Sequence, residues 1–567
     1  MGRRPFDLTI RDVQLVNVMT EEIYSADIGI VEDTFAYVGP FDGHSAKQTL
    51  DARGLFAVPG FIDAHMHIES SMMTPAAFAQ AVLPMGTTTV AADPHEIANV
   101  LGMDGVRMMC EMSHGLPLRV HVMAPSTIPS APGFETSAAQ IDHKAMAAML
   151  DFPGVLGMGE MMDFLGVVHN DPAIINVIQA ARDAGVLLDG HAPLLSGKQL
   201  QAFVSTGINC DHTYMDLESV REKLRYGMCV QIQERYFTPE LMTFLNDWPV
   251  QNRIMLVTDD VPITRLWERG HVNNLLRKAI AMGLNPQKAI RYVTINAADR
   301  LRQYNLGAIA PGRAADMLLL SSLEDVTVEM VFCAGQLIAK KGRLLVPLSH
   351  HPFPETAYKT MHIAPLCKED FAISCPGKRV IVNAIQQDGL TSRTKHVQLE
   401  CEAQDGFLLQ GGLVKMAVFE RHTGRKGCSL GLLSNLDGFD GAMASSYAHD
   451  CHNLCVYSSN DADAVLAANA VIEMGGGVAA ARHGELLCAI ALPIAGILSH
   501  DGMEELAQKF KALTAAAKSI RLHHAEPLTF LTLMSLAVSP EIKLTDKGIL
   551  DVINKRFLPL IERVLEA

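Results

Sequence analysis

The chain has 567 residues, too many for one hydrophobic core, so three or four domain-sized units are expected. Apolar residues make up 49% and charged residues 19%, which excludes a disordered polymer. The formal net charge of -15 argues against a nucleic-acid-binding surface, which needs clustered Lys and Arg, and points to a small-molecule partner.

The basic start, Met-Gly-Arg-Arg-Pro-Phe-Asp, has no apolar segment behind it, so neither a signal peptide nor a membrane span is expected. The 11 cysteines are scattered without a Cys-x-x-Cys pair, which fits free thiols and a cytoplasmic location. Residues 1–55 read as short strands, such as Leu8–Asn17 and Ile28–Val38, with turns at Gly39-Pro40 and Asp42-Gly43. The same texture returns over Gly307–Gly342. A small β-sandwich domain built from both flanks, 1–55 and 306–347, is the expectation.

Between the flanks, over 56–305, strand-like apolar runs alternate with helical stretches. The runs are Phe56–Ile62, Thr88–Ala92, Val120–Ala124, Val155–Met158, Val186–Leu188, Ile208–Cys210, Met228–Ile232 and Ile254–Val257. Thr74-Pro75, Asp171-Pro172 and Asn285-Pro286 each place a capping side chain before a proline suited to the first helical position. Eight strand and helix units in about 250 residues match an α/β fold of the closed (β/α)8 TIM type, with its working face at the carboxyl ends of the strands. A doubly wound open sheet is the alternative. From about residue 350 to 567 the pattern changes: strand-like Val380–Asn383, His396–Glu400, Leu413–Phe419 and Asn453–Tyr457, with helical Ala462–Met474 and Glu504–Ala517, predict a C-terminal α+β domain.

The chemistry lies at the strand ends. The first strand ends in Asp63, His65 and His67, the fourth in Glu160, the fifth in His191, the sixth in His212 and the eighth in Asp259. Singly, each has a plain explanation as a loop acid, a turn residue or a helix cap. Together, four imidazoles and two carboxylates would converge on one rim as a metal site. Nitrogen and oxygen donors without thiolate suit Zn, Mn or Fe(II). Six donors exceed what one catalytic ion with an open position needs, so two divalent ions bridged by Glu160 are expected. Asp63 is then expected to orient a histidine from behind. Asp93, His95 and Glu96 follow the second strand and are expected to contact substrate or orient ligands, or else to form a turn before a helix starting near Ile97. His449, Asp450, His452 and Asn453 form a polar cluster that is either a turn or a contribution to the active site.

These residues carry a resemblance. The runs Pro-Gly-Phe-Ile-Asp-Ala-His-Met-His-Ile-Glu-Ser-Ser-Met (59–72), Ala-Asp-Pro-His-Glu-Ile-Ala-Asn-Val (92–100), Gly-Glu-Met-Met (159–162), Gly-His-Ala-Pro (190–193) and Thr-Asp-Asp (258–260) resemble the amidohydrolase superfamily and, within it, the adenine deaminases. The C-terminal runs at 444–453 and 492–496 resemble theirs too. The resemblance implies hydrolysis of adenine to hypoxanthine and ammonia at a binuclear Fe(II) or Mn centre. Metal-bound hydroxide would attack the amino-bearing ring carbon, Asp259 would shuttle the proton, and Glu160 would aid protonation of the ring.

Two loops depart from that family's pattern. After the seventh strand, Gln233-Glu234-Arg235-Tyr236 stands where Arg-Glu-Gly-Ser is usual, with Glu234 retained and placed to meet the substrate ring. After Thr-Asp-Asp comes Val261-Pro262-Ile263 in place of a basic residue and His-Pro. The alternatives are a hydrolase of another amino-heterocycle or cyclic amide, and a non-catalytic barrel protein. A homo-oligomer that meets neither nucleic acid nor membrane is expected.

Overall fold

A computed structural model describes residues 4–40, 43, 45–388, 392–524 and 526–567; Asp42 of the expected Asp42-Gly43 turn lies outside them. The chain forms two compact units, one of Met1–Pro94, Met109–Ser126 and Asp142–His351, the other of His95–Met108, Thr127–Ile141 and Pro352–Ala567.

In the first unit the strands run β1 (Phe6–Asn17), β2 (Glu22–Val31), β3 (Thr34–Gly39), β4 (Ala46–Asp51), β5 (Phe56–Pro59), β6 (Phe61–Met66), β7 (Thr87–Ala92), β8 (Arg119–Ala124) and β9 (Val155–Met161). They continue with β10 (Leu187–Gly190), β11 (Cys210–Asp211), β12 (Cys229–Ile232), β13 (Ile254–Leu256), β14 (Met317–Ser322), β15 (Thr327–Cys333), β16 (Gln336–Lys340) and β17 (Arg343–Leu344). The two flanks share one hydrogen-bonded sheet in the order β17-β16-β15-β14-β5-β1-β2-β3, with β4 also on β1. Its core gathers Ile10, Val13, Ile28, Ile30, Phe35, Ala57, Met317, Leu319 and Phe332. The run Phe56–Ile62, expected as a single barrel strand, is divided. β5 pairs with β14 in the flank sheet and β6 opens the barrel. The break falls at Gly60, where a Cβ would lie 2.2 Å from Thr88 Oγ1, so backbone and neighbouring strand approach too closely for any side chain.

β6 to β10 form a parallel ladder and β11 to β13 another. The bridge Met66↔Asp259 returns the end of the second ladder to β6. Across the remaining seam, a Cβ on Gly190 would lie 2.2 Å from the Cys210 carbonyl oxygen, so β10 and β11 are immediate neighbours. The result is a TIM-type barrel. Strand residues Ile62, Ala64, Ala91, Met123, Leu187, Cys229 and Met255 share its core with Ala297 and Ala298 from the helix Ile295–Arg300. The three predicted caps form: Thr74, Asp171 and Asn285 accept from Ala77 N, Ala173 N and Gln287 N at the starts of their helices.

In the second unit a ten-stranded sheet includes Arg379–Gln387, Thr394–Gln404, Val414–Phe419, Cys428–Ser434 and Leu454–Ser458. The Ala- and Gly-rich strands Ala442–Ser445 and Gly477–Arg482 gave no strand signal in the sequence, because small residues have little β preference and are held here by packing. Ala464, Ala467, Ala468 and Val471 of the helix Asp461–Glu473 pack on Ala417, Ala444, Val456 and Ala479. His95–Met108 and Thr127–Ile141 fall inside the 56–305 stretch yet fold with this unit. Thr136 N donates to Asp546 Oδ1 at 2.9 Å and Asn453 Nδ2 donates to the Thr136 carbonyl at 2.9 Å. Among the described residues, no helix is long and apolar enough to cross a membrane.

Candidate metal centre

Alternation along a strand turns every second residue to the same face, and at the end of β6 this presents His65, while His67 follows it just beyond the strand. Each ring is fixed from behind. His65 Nδ1 donates to Asp189 Oδ2 at 2.9 Å, and His67 Nδ1 donates to the Asp93 carbonyl oxygen at 2.9 Å. Both partners are acceptors only, so the Nε2 atoms face inward with their lone pairs. What they face is carboxylate. His67 Nε2 lies 3.2 Å from Asp259 Oδ1 and 3.3 Å from Glu160 Oε1, and His65 Nε2 lies 3.5 Å from Asp259 Oδ1 without a formed hydrogen bond.

Glu160, from β9, reaches the other side as well. Its Oε2 is 2.5 Å from His191 Nδ1 and 3.3 Å from His212 Nε2. The His65 and His212 rings stack with centroids 3.9 Å apart. Donor atoms of His65, His67 and Glu160, of His65, His212 and Asp259, and of Glu160, His191 and His212 each lie within 4.8 Å of one another. Glu160 sits between two groups of imidazoles, and Asp259 closes one of them.

Lone pairs turned toward negative oxygens in a buried place require positive charge between them. The titration tendencies agree. Burial disfavours charge on His65, yet Asp189 and Asp259 hold its pKa well above the usual value, and Asp259 and Glu160 do the same for His67. Burial would likewise raise Glu160 and Asp259, but His212 and His191 hold the first, and His65 and His67 the second, well below the usual carboxylate range. A divalent cation satisfies this donor set better than protons do, because it neutralises both carboxylates and engages every imidazole nitrogen. The residues present therefore fit a metal centre.

Asp259 has φ 58, a left-handed conformation uncommon outside glycine. It is held there by Asp259 N donating to the His65 carbonyl and His67 N donating to the Asp259 carbonyl, at 3.2 and 3.3 Å. It does not cap the next helix, Ile263–Arg269, whose cap position is Pro262.

The supporting residues differ in part from expectation. The carboxylate behind His65 is Asp189, not Asp63. Asp63 accepts from Thr258 Oγ1 at 2.6 Å and Thr258 N at 3.3 Å, securing the backbone beside Asp259, and burial raises its pKa to about 6. Asp93 touches two of these residues: its carbonyl holds His67 and its Oδ2 accepts from Glu160 N at 2.8 Å. A Cβ on Gly159 would lie 2.1 Å from Asp93 Oδ2, which explains the glycine before Glu160.

Glu234 is not directed at the centre. Its carboxylate accepts from Asn274 Nδ2 at 3.0 Å and from Lys278 Nζ, both on the helix Val272–Ala281. His95 and Glu96 form no separate turn; they open the helix His95–Ser113. Within the second unit, Glu96 lies 2.6 Å from His449 Nδ1 and 2.5 Å from His452 Nε2, and Asp450 Oδ1 is 3.7 Å from His449 Nδ1. Burial alone would raise Glu96, but the two imidazoles hold it well below the usual range.

Three residues escaped the sequence reading. Asp189 lies in the apolar run of β10, and its only signal was a carboxylate in a strand with no room for solvent. Burial opposes its charge, but the His65 hydrogen bond and the charge of Arg300 hold its pKa down to about 2. Arg300 Nη2 donates to Asp189 Oδ1 at 3.3 Å. Arg235 Nη2 donates to Asp259 Oδ2 at 3.1 Å. Asp189→Asn is expected to lower the affinity for Mn(II) about 10- to 100-fold while the fold is kept, since an amide cannot stabilise the His65 tautomer as a carboxylate does. Competition with a chelating dye measures this, and affinity equal to wild type would show that Asp189 is dispensable.

Comparison with known proteins follows the same lines. Residues 56–338 match the model of the amidohydrolase family and residues 391–556 that of the adenine deaminase C-terminal domain. The adenine deaminase of Moorella thermoacetica is 39% identical over 574 residues, covering 99% of this chain and 96% of its own. That of Klebsiella pneumoniae (strain 342) is 38% identical over 570 residues, covering 99% and 94%. Among solved structures, atrazine chlorohydrolase from Arthrobacter aurescens TC1 complexed with zinc aligns over 60% of this chain and 97% of its own, at 18% identity and a TM-score of 0.45.

Proposed function

The chain belongs to the adenine deaminase family of the amidohydrolases, and from that we propose that it hydrolyses adenine to hypoxanthine and ammonia at a divalent-metal centre built on Glu160. The observation that carries the site is the convergence of inward-facing imidazole nitrogens on two buried carboxylates. His65, His67 and Asp259 would hold one ion, His191 and His212 a second, and Glu160 both. Such ions acidify water and make a nucleophile available near neutral pH. Nitrogen and oxygen donors suit Zn, Mn or Fe(II), and the preference for Mn or Fe(II) in this reading comes from the likeness to the adenine deaminases.

The proton work falls to Asp259. In the overall reaction a C–O bond forms at the amino-bearing ring carbon and the C–N bond to the amino group breaks. Of the two protons of water, one goes to the departing nitrogen and the other ends on the adjacent ring nitrogen. Asp259 Oδ1 faces the centre and is placed to take the first and pass it on. Both oxygens of Glu160 face imidazoles, so its part here is that of a ligand rather than a ring acid.

Ammonia release tests the proposal. Mn-loaded protein is expected to turn over adenine, to lose activity on chelation and to regain it when Mn(II) or Fe(II) is restored. The second reading, another amino-heterocycle as substrate, is favoured by Glu234 facing Asn274 and Lys278 instead of the centre. Rapid turnover of a different compound with none of adenine would establish it.

A further inference from the structure

The loop that departs from the family pattern, Gln233-Glu234-Arg235-Tyr236, meets the candidate centre through two of its residues, Gln233 and Arg235. Gln233 Nε2 donates to the His212 carbonyl at 3.0 Å. Glu234 anchors the short turn Glu234–Tyr236 to Asn274 and Lys278. The guanidinium of Arg235 lies 5.2 Å above the Tyr236 ring, and the Tyr236 hydroxyl in turn accepts from Tyr214 N at 3.0 Å. Arg235 is thus flanked by the Tyr236 ring, and its Nη2 reaches Asp259.

We propose that Arg235 is a positioning residue that fixes which oxygen of Asp259 serves the centre, holding Oδ2 outward so that Oδ1 alone faces His65 and His67. The two oxygens of a carboxylate are chemically equivalent, and rotation about the last side-chain bond is soft. A chain that ties only the backbone of Asp259 would leave them interchangeable. The 3.1 Å contact from Arg235 Nη2 to Oδ2 removes that equivalence, and Oδ1 is left at 3.2 Å from His67 Nε2. The Arg235 side chain is 59% exposed while that of Asp259 is 9% exposed, so the pair stands at the mouth of the site. Because the Arg235 partner is more than half in water, the pair adds little to folding. Its consequence is orientation, and a variant lacking it should fold normally.

The kinetic part of this inference rests on adenine hydrolysis; the spectroscopic part does not. In Arg235→Ala, loaded with Co(II), the cobalt content should equal wild type while the visible d–d absorption changes, and the same substitution in an Asp259→Asn background should change nothing further. The kcat for adenine should fall about 10- to 100-fold with KM within about threefold, and added guanidinium ion should restore part of it. An unchanged spectrum, an unchanged kcat in an active wild type, or a loss of bound cobalt would overturn the proposal. A wild type that releases no ammonia from adenine while the spectral difference persists would instead remove the proposed substrate and leave the positioning role standing.

Discussion

Glu160→Gln is expected to fold, to lose its capacity for a full metal complement, and to hydrolyse adenine more than about 100-fold more slowly, a loss exceeding that typical of residues behind the ligands. Its side chain is 4% exposed and stands between His67 on one side and His191 and His212 on the other. Asp259 Oδ1 also approaches His212 Nε2, but only to 4.0 Å, so the closer contacts to both groups are those of Glu160. The amide keeps the shape but carries no charge to offset two cations, and one of its two termini becomes a donor facing nitrogens that must themselves donate electron pairs. Metal analysis after equilibrium dialysis, beside ammonia release, reads both effects. Two ions retained at wild-type affinity would show that Glu160 does not bridge.

The second large effect is expected at Asp259. Asparagine in its place retains an oxygen that can face the centre but cannot accept and release a proton, so kcat should fall about 10²- to 10⁴-fold. Its amide group would meet the Arg235 guanidinium, donor against donor, so the side chain should also turn over more freely than in the wild type. Metal content has to be measured on the same preparation, because Asp259 also lies 3.2 Å from His67. Full activity with both ions in place would exclude Asp259 as the proton carrier, whatever its role as a ligand.

These two residues were legible before any coordinates, and so were His65, His67, His191 and His212. Each sits where an apolar run stops, and in a parallel barrel every such stop lies on one rim. The helix caps were legible for a similar reason, since Thr74, Asp171 and Asn285 act on amides two or three residues away. The division at Gly60 was not, because the run Phe56–Ile62 is uniformly apolar and only the separate partners of its halves, β14 for one and β7 for the other, distinguish them. Glu234 misled in the opposite direction. A retained acid at a strand end reads as a site residue, and only the position of Lys278, 44 residues on, turns it away.

By itself, the sequence determined the donor inventory and the order in which the barrel strands deliver it, because these depend on local alternation and on the chemistry of single side chains; the hydrolase family was legible from its resemblance in whole runs such as 59–72 and 258–260. The tertiary structure decided what stands behind each donor. That Asp189 fixes His65 across 124 residues, that Asp93 holds both His67 and the amide of Glu160, and that Arg235 selects one oxygen of Asp259 are contacts between different strands and loops. Their geometry follows from barrel closure at Met66 and Asp259. A buried carboxylate and a rim arginine have no periodicity of their own, and their meaning is set by what lies within about 3 Å once the barrel has closed.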